Sequence, residues 1–156
     1  MSLTKEQIQR NKAQLEADIV QCLKTLSAGG LILYPTDTVW GIGCDATNAE
    51  AVKPLTIIYE GAYNLAPNVL GDEDSVGIRI PNDEFCHRLC QRFGKPIVST
   101  SANVSGQPMA RTFAEIDPSI VQGVDYAVEY RRGDTSPHQP SNIILLGRDG
   151  TFKIIR

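Results

Sequence analysis

The sequence predicts one α/β domain built on a mixed sheet, partly parallel and partly antiparallel. Three observations carry this. Helical periodicity at residues 5–28 and 83–93 interleaves with short apolar runs that read as strands. Two such runs, 142–146 and 151–155, flank the tight turn Arg148-Asp149-Gly150 and read as an antiparallel hairpin. A chain of 156 residues without repeat, linker or low-complexity tract is the size of a single domain with a real core.

Each element has a local reason. Thr4-Lys5-Glu6-Gln7 is a capping box that starts the first helix, with Ile8, Leu15, Ile19, Cys22, Leu23 and Leu26 as its apolar stripe and Gly29-Gly30 as its stop. Leu31 to Tyr34 is a short buried strand, ended by Pro35, which has no N–H to donate. Thr47-Asn48-Ala49-Glu50 reads as a second capping box, with Thr47 as the cap. Leu55 to Tyr59 reads as a strand, 60–75 as a loop and Val76 to Ile80 as a strand. Pro81-Asn82-Asp83-Glu84 opens a helix with Phe85, Leu89, Cys90 and Phe93 inward, closed by Gly94. Ile97-Val98 is a short strand, and 112–121 holds one short helix that Pro118 interrupts or restarts. Tyr126 to Val128 is a further strand before the terminal hairpin.

Composition narrows the function classes. Hydrophobic residues at 42% and charged ones at 21% are ordinary for a globular protein. A net charge of −3 argues against binding polyanions by bulk electrostatics, so any nucleic-acid contact must be local. No apolar run approaches a membrane span and no signal-peptide pattern opens the chain, so no membrane role and a cytoplasmic location are expected. Cys86, His87 and Cys90 lie close together, yet no second Cys/His pair accompanies them. The four cysteines read as buried thiols in a reducing compartment.

The chemistry centres on Tyr34-Pro35-Thr36-Asp37-Thr38-Val39-Trp40-Gly41-Ile42-Gly43. Hydroxyls and a carboxylate stand at a strand end, where open α/β sheets place ligands, and two glycines permit close backbone approach. The same residues equally read as a polar turn whose Thr and Asp side chains bond their own backbone. This block closely resembles the signature of the YrdC-like family, the threonylcarbamoyl-adenylate synthases, with Trp40 where Tyr is usual. Ser99-Thr100-Ser101-Ala102-Asn103-Val104-Ser105-Gly106 and Val76-Gly77-Ile78-Arg79-Ile80-Pro81 resemble two further family blocks, in the same order.

The resemblance implies a single domain over 1–156 with a twisted sheet around an open cavity. It implies a nucleotidyltransferase that joins L-threonine, bicarbonate and ATP into threonylcarbamoyl-AMP and pyrophosphate, with Mg²⁺ accompanying ATP. Its product would pass to the threonylcarbamoyl transferase machinery that modifies tRNA, and direct contact with tRNA or double-stranded RNA is a further expectation. Such a reaction needs charge neutralisation and alignment rather than a covalent nucleophile. Neither His87 nor His138 sits in a recognisable nucleophile motif.

By match to the family, Thr36, Arg79, Ser99 and Ser141 fall on the L-threonine side. Arg79 would grip the substrate carboxylate, a job suited to a guanidinium fork. A surface arginine at a strand end is its plain alternative. Ser75, Ser101 and Arg156 fall on the ATP side, and Ser99 and Ser101 are expected on opposite faces of their extended segment. Met109 replaces a small hydroxyl residue and is left out of the site. Arg131 and Arg132 read as solvated charge. Two rival functions remain open: an RNA-binding module, marked by steep salt-dependent affinity without turnover, and a threonine- or nucleotide-binding regulator without catalysis.

The capping box at Thr47 announces a helix that Pro54 cuts short. Family members continue this helix into a basic Lys-x-Arg segment that clasps the ATP phosphates. A few dozen residues are therefore expected to be missing between Glu50 and Lys53, as a stretch that is mobile without nucleotide. A true deletion, the alternative, would leave a poor catalyst.

Overall fold

The computed structural model describes residues 4–52, 65–69, 76–136, 144–146 and 152–154. Helix α1, Lys5–Ser27, begins as its capping box requires. The Gln7 N–H donates to Thr4 Oγ1 at 3.2 Å and the Thr4 N–H to Gln7 Oε1 at 2.8 Å. Leu15, Ile19, Cys22 and Leu26 are buried, whereas Ile8 is exposed, so the core-facing stripe starts later than the periodicity indicated. Asp18 is fully buried among them. Its carboxylate accepts from the Tyr126 hydroxyl and from the N–H groups of Glu129 (3.2 Å) and Tyr130 (2.7 Å). Those bonds offset the cost of burying it and tie α1 to the far end of the chain.

Among the described residues the central sheet has four strands. Strand β1, Ile32–Tyr34, is buried throughout, as a continuous apolar run should be. It pairs antiparallel with β2, Gly41–Asp45, and parallel with β4, Tyr126–Ala127. Strand β3, Ile97–Ser101, pairs antiparallel with the other side of β2. The expected mixed sheet is therefore present. β2 was not anticipated, because a Gly-Ile-Gly-Cys-Asp segment has little intrinsic strand preference. Its register supplies the reason: Gly41 stands opposite Tyr34 and Gly43 opposite Ile32. A Cβ on Gly43 would lie 2.8 Å from Tyr34 Cε1 and 2.9 Å from Ile97 Cγ2. Side chains from both neighbouring strands thus occupy the space that the glycine leaves.

Helix α2 is described over Ala49–Val52. Its cap is Asn48, whose Oδ1 accepts from the Glu50 N–H at 3.1 Å, and not Thr47. The Thr47 N–H and hydroxyl instead donate to Asp45, at 2.8 and 2.6 Å. The anticipated strand at Leu55 to Tyr59 lies outside the described residues. Val76 to Ile80 forms no strand, and Ile78 and Ile80 are each 83% exposed. That expectation fails because an apolar run becomes a strand only where a neighbour completes its ladder.

Helix α3, Glu84–Phe93, is capped by Asp83 and ended by the left-handed Gly94. It buries Phe85, Cys86 and Leu89, while Cys90 faces solvent. Three of the four thiols are thus buried, not all of them. Glu16 of α1 bonds Arg88 and, at 3.1 Å, Arg92 of α3. Pro118 is a second start: a short 3-10 turn at Phe113–Glu115 precedes α4, Pro118–Gly123, capped by Asp117. β5, Ile144–Leu146, and β6, Phe152–Ile154, form the expected hairpin. Among the described residues no helix is long and apolar enough to cross a membrane.

Candidate functional site

The β1–β2 connection folds on its own hydroxyls. Thr36 Oγ1 donates to the Val39 carbonyl at 2.8 Å, accepts the Thr38 N–H at 3.0 Å and lies 3.1 Å from Thr38 Oγ1. Thr36 is 8% exposed, so its hydroxyl builds the turn. The self-bonded turn is thus present at Thr36, and a ligand would meet this hydroxyl only by displacing one of these partners. Thr38, which the motif reading passed over, is the more accessible of the two.

Asp37 and Thr38 both point their oxygens at Arg79. One Asp37 carboxylate oxygen pairs with Arg79 Nη2, and Arg79 Nη1 donates to Thr38 Oγ1 at 2.9 Å. The other Asp37 oxygen accepts the Asn82 N–H at 2.9 Å. Desolvation pushes the Asp37 pKa up, but the bonds from Asn82 and Arg79 together outweigh it and hold the carboxyl below its ordinary range. Arg79 is therefore no loose surface arginine. It is oriented by two side chains from a different loop, and its fork retains further N–H groups that can face a carboxylate.

Ser99 and Ser101 both lie in β3, opposite Gly43 and Gly41. Being two residues apart on a strand, they share one face, and the expectation of opposite faces is corrected. They separate along the strand instead. Ser99 partners the Tyr34 phenol, whose pKa burial raises despite that bond. Ser101 is the last residue of β3, and beyond it opens a cavity of about 590 Å³ whose lining includes Ala102, Asn103, Met109, Glu115 and Pro118. Asn103 Nδ2 donates to the Val104 and Gln107 carbonyls at 3.1 and 3.2 Å, while its buried Oδ1 has no partner. Trp40 packs edge-on to Phe113, centroids 4.9 Å apart, and so joins the signature turn to the 3-10 turn at Phe113–Glu115. Ser75, Ser141 and Arg156 lie outside the described residues.

Two basic residues read as solvated are held. Arg131 pairs with Asp83 at 2.6 Å and donates to the Thr36 carbonyl at 3.2 Å. Arg132 donates to the Val128 and Ala127 carbonyls and lies over the Phe113 ring. The sequence carries no signal for either, because a basic pair looks the same in water or folded onto carbonyls. Among the described residues no group of three or more His, Cys, Asp or Glu could hold a metal ion.

Comparison with known proteins bears on the family and the fold. The family model described as telomere recombination, Sua5/YciO/YrdC, matches residues 24–55 and 52–156. A threonylcarbamoyl-AMP synthase of Pseudoalteromonas translucida is 29% identical over 175 aligned residues, covering 82% of this chain and 92% of the relative. Since 82% of a 156-residue chain falls well short of 175, many positions of that relative have no counterpart here. The crystal structure of E. coli YciO superimposes with a TM-score of 0.73 at 21% identity, covering 88% of this chain and 87% of that one. P. abyssi Sua5 complexed with L-threonine does so with a TM-score of 0.62 at 18% identity, over 81% of this chain and 50% of that one. The chain belongs to the Sua5/YciO/YrdC family.

Proposed function

We propose that the protein is an L-threonylcarbamoyladenylate synthase, a nucleotidyltransferase. The amine of L-threonine adds to the carbon of bicarbonate with loss of water, giving a carbamate. A carbamate oxygen then attacks the α-phosphorus of ATP, and pyrophosphate leaves. The observation that carries this reading is Arg79, fixed by Asp37 and Thr38 at the strand-end turn. A guanidinium so oriented suits an amino-acid carboxylate. Thr36 would contribute through the turn it builds, with Ser99 and Ser141 completing the amino-acid side.

ATP is assigned to the cavity beyond Ser101, with Ser75 and Arg156 on the phosphates. Mg²⁺ would accompany the nucleotide, and Asp37 is not offered as its ligand because Arg79 and Asn82 already engage it. When bound, the ion neutralises phosphate charge. The product would pass to a tRNA-modifying transferase in the cytoplasm.

A second reading has a specific observation behind it. The two stretches that match the family model meet at residues 52–55, and the relatives carry positions absent here. That supports the expected gap between Glu50 and Lys53, where a cationic phosphate clasp would lie. If the gap is a true deletion, the protein binds threonine and nucleotide with little turnover. Pyrophosphate release that requires ATP, L-threonine and bicarbonate together is the test. Release above background supports the synthase; binding of both ligands without release supports the second reading.

A further inference from the structure

Arg131 has φ 66°, and among the described residues no other non-glycine residue has positive φ. A Cβ is disfavoured in that conformation. The side chain gives the reason for its presence. Its guanidinium bridges two elements, with Nη1 2.6 Å from Asp83 Oδ2 and Nη2 3.2 Å from the Thr36 carbonyl. Asp83 has a side chain only 9% exposed, and its other oxygen caps α3 through the Cys86 N–H at 2.9 Å. The preceding residue, Asn82, donates its N–H to Asp37. Residues 82 and 83 therefore hold the Thr36–Thr38 turn at two points, one directly and one through Arg131. That same turn supplies both groups that orient Arg79.

We propose that Arg131 is a positioning residue for the amino-acid pocket: by bridging Asp83 to the Thr36 carbonyl it fixes the turn that aims Arg79 at the substrate carboxylate. The proposal rests on the threonine reading above. Arginine suits the task because a planar fork can serve a carboxylate and a carbonyl at once, whereas a lysine ammonium is a point charge.

Backbone strain and bridging make separable demands, which gives the test. Arg131→Gly and Arg131→Ala both delete the bridge, but only glycine relaxes the left-handed backbone. The glycine variant should melt higher than the alanine variant. Both should bind L-threonine weaker by about tenfold, the scale of one charge-assisted hydrogen bond, with ATP affinity unchanged. Arg131→Lys, which keeps charge opposite Asp83, should fall between these variants and the wild type. Amide exchange at Thr38 and Asn82 should quicken in the glycine and alanine variants alike. Threonine affinity that follows melting temperature, or affinity and exchange as in the wild type, would overturn the proposal. A wild-type protein that takes no L-threonine would instead overturn the functional reading and the pocket role with it. The exchange measurement would then still decide whether Arg131 holds the turn.

Discussion

The two sides of the site are built differently. On the side proposed for the amino acid, the Thr36–Thr38 turn is tied by its own hydrogen bonds and roofed by α3, with Cys86 Sγ 3.4 Å from the Pro35 carbonyl. On the other side, side chains between Ala102 and Pro118, among them Asn103, Met109 and Glu115, line an open cavity. The turn is tied by its own hydrogen bonds, whereas the other region leaves open space beside its polar side chains. The difference teaches where rigidity is invested. Under the proposed function, a small zwitterion would be told from its isosteres by fixed groups, whereas a large nucleotide could be held by many weaker contacts.

The largest expected effect breaks the rigid half directly. Arg79→Ala should cost roughly 1.5–3 kcal/mol in L-threonine binding, the range for hydrogen bonds to a charged group. Titration calorimetry that shows unchanged threonine affinity would remove Arg79 from the pocket.

Next come paired glycine substitutions, one on each side. Gly43→Ala would place a Cβ 2.8 Å from the Tyr34 ring and 3.0 Å from the Val98 carbonyl. Overpacking of that kind should cost about 1–3 kcal/mol in unfolding experiments. Gly106→Ala meets nothing within 4 Å but has φ +80°, so backbone conformation alone should cost it about 1–2 kcal/mol. Equal tolerance of Gly43→Ala would mean that the Tyr34 face of the sheet is loosely packed.

Acid should weaken the fold through two carboxylates, Asp37 in the turn and Asp45 at the end of β2. Burial raises the Asp37 and Asp45 pKa values, but their hydrogen bonds to Asn82 and Arg79, and to Lys95 and Thr47, lower both overall. A carboxylate whose folded pKa lies below its unfolded value, about 3.9, contributes stability that is complete above that value. The contribution is lost as pH falls through the folded pKa. Melting temperature should therefore drop below about pH 4, and Asp45→Asn should flatten that drop. An unchanged acid profile in this variant would exclude Asp45 as a contributor.

The smallest effect is chemical. Burial pushes the Cys22 thiol up to about 12 and Cys44 up to about 11, and raises Cys86 further. Cys90 is raised as well but is exposed. Iodoacetamide at mildly alkaline pH should label Cys90 first, as read by peptide mass mapping. Early labelling of Cys86 would show that the seat of α3 on Pro35 opens readily.

Local patterns in the sequence determined a good deal. The capping box at Thr4, the left-handed stop at Gly94, the strand through Leu33, the terminal hairpin and the three family blocks all depend on neighbours a few residues apart. Such signals are written in the order of the chain. What only the tertiary structure decided depends on partners far along it. Gly41 and Gly43 became a strand because Tyr34 and β3 close around them. Val76 to Ile80 formed no strand. Asp18 and Arg131 found partners more than 90 residues away in sequence. Burial and long-range hydrogen bonds are properties of the packed chain, and a charged residue looks the same in sequence whether it meets water or a carbonyl.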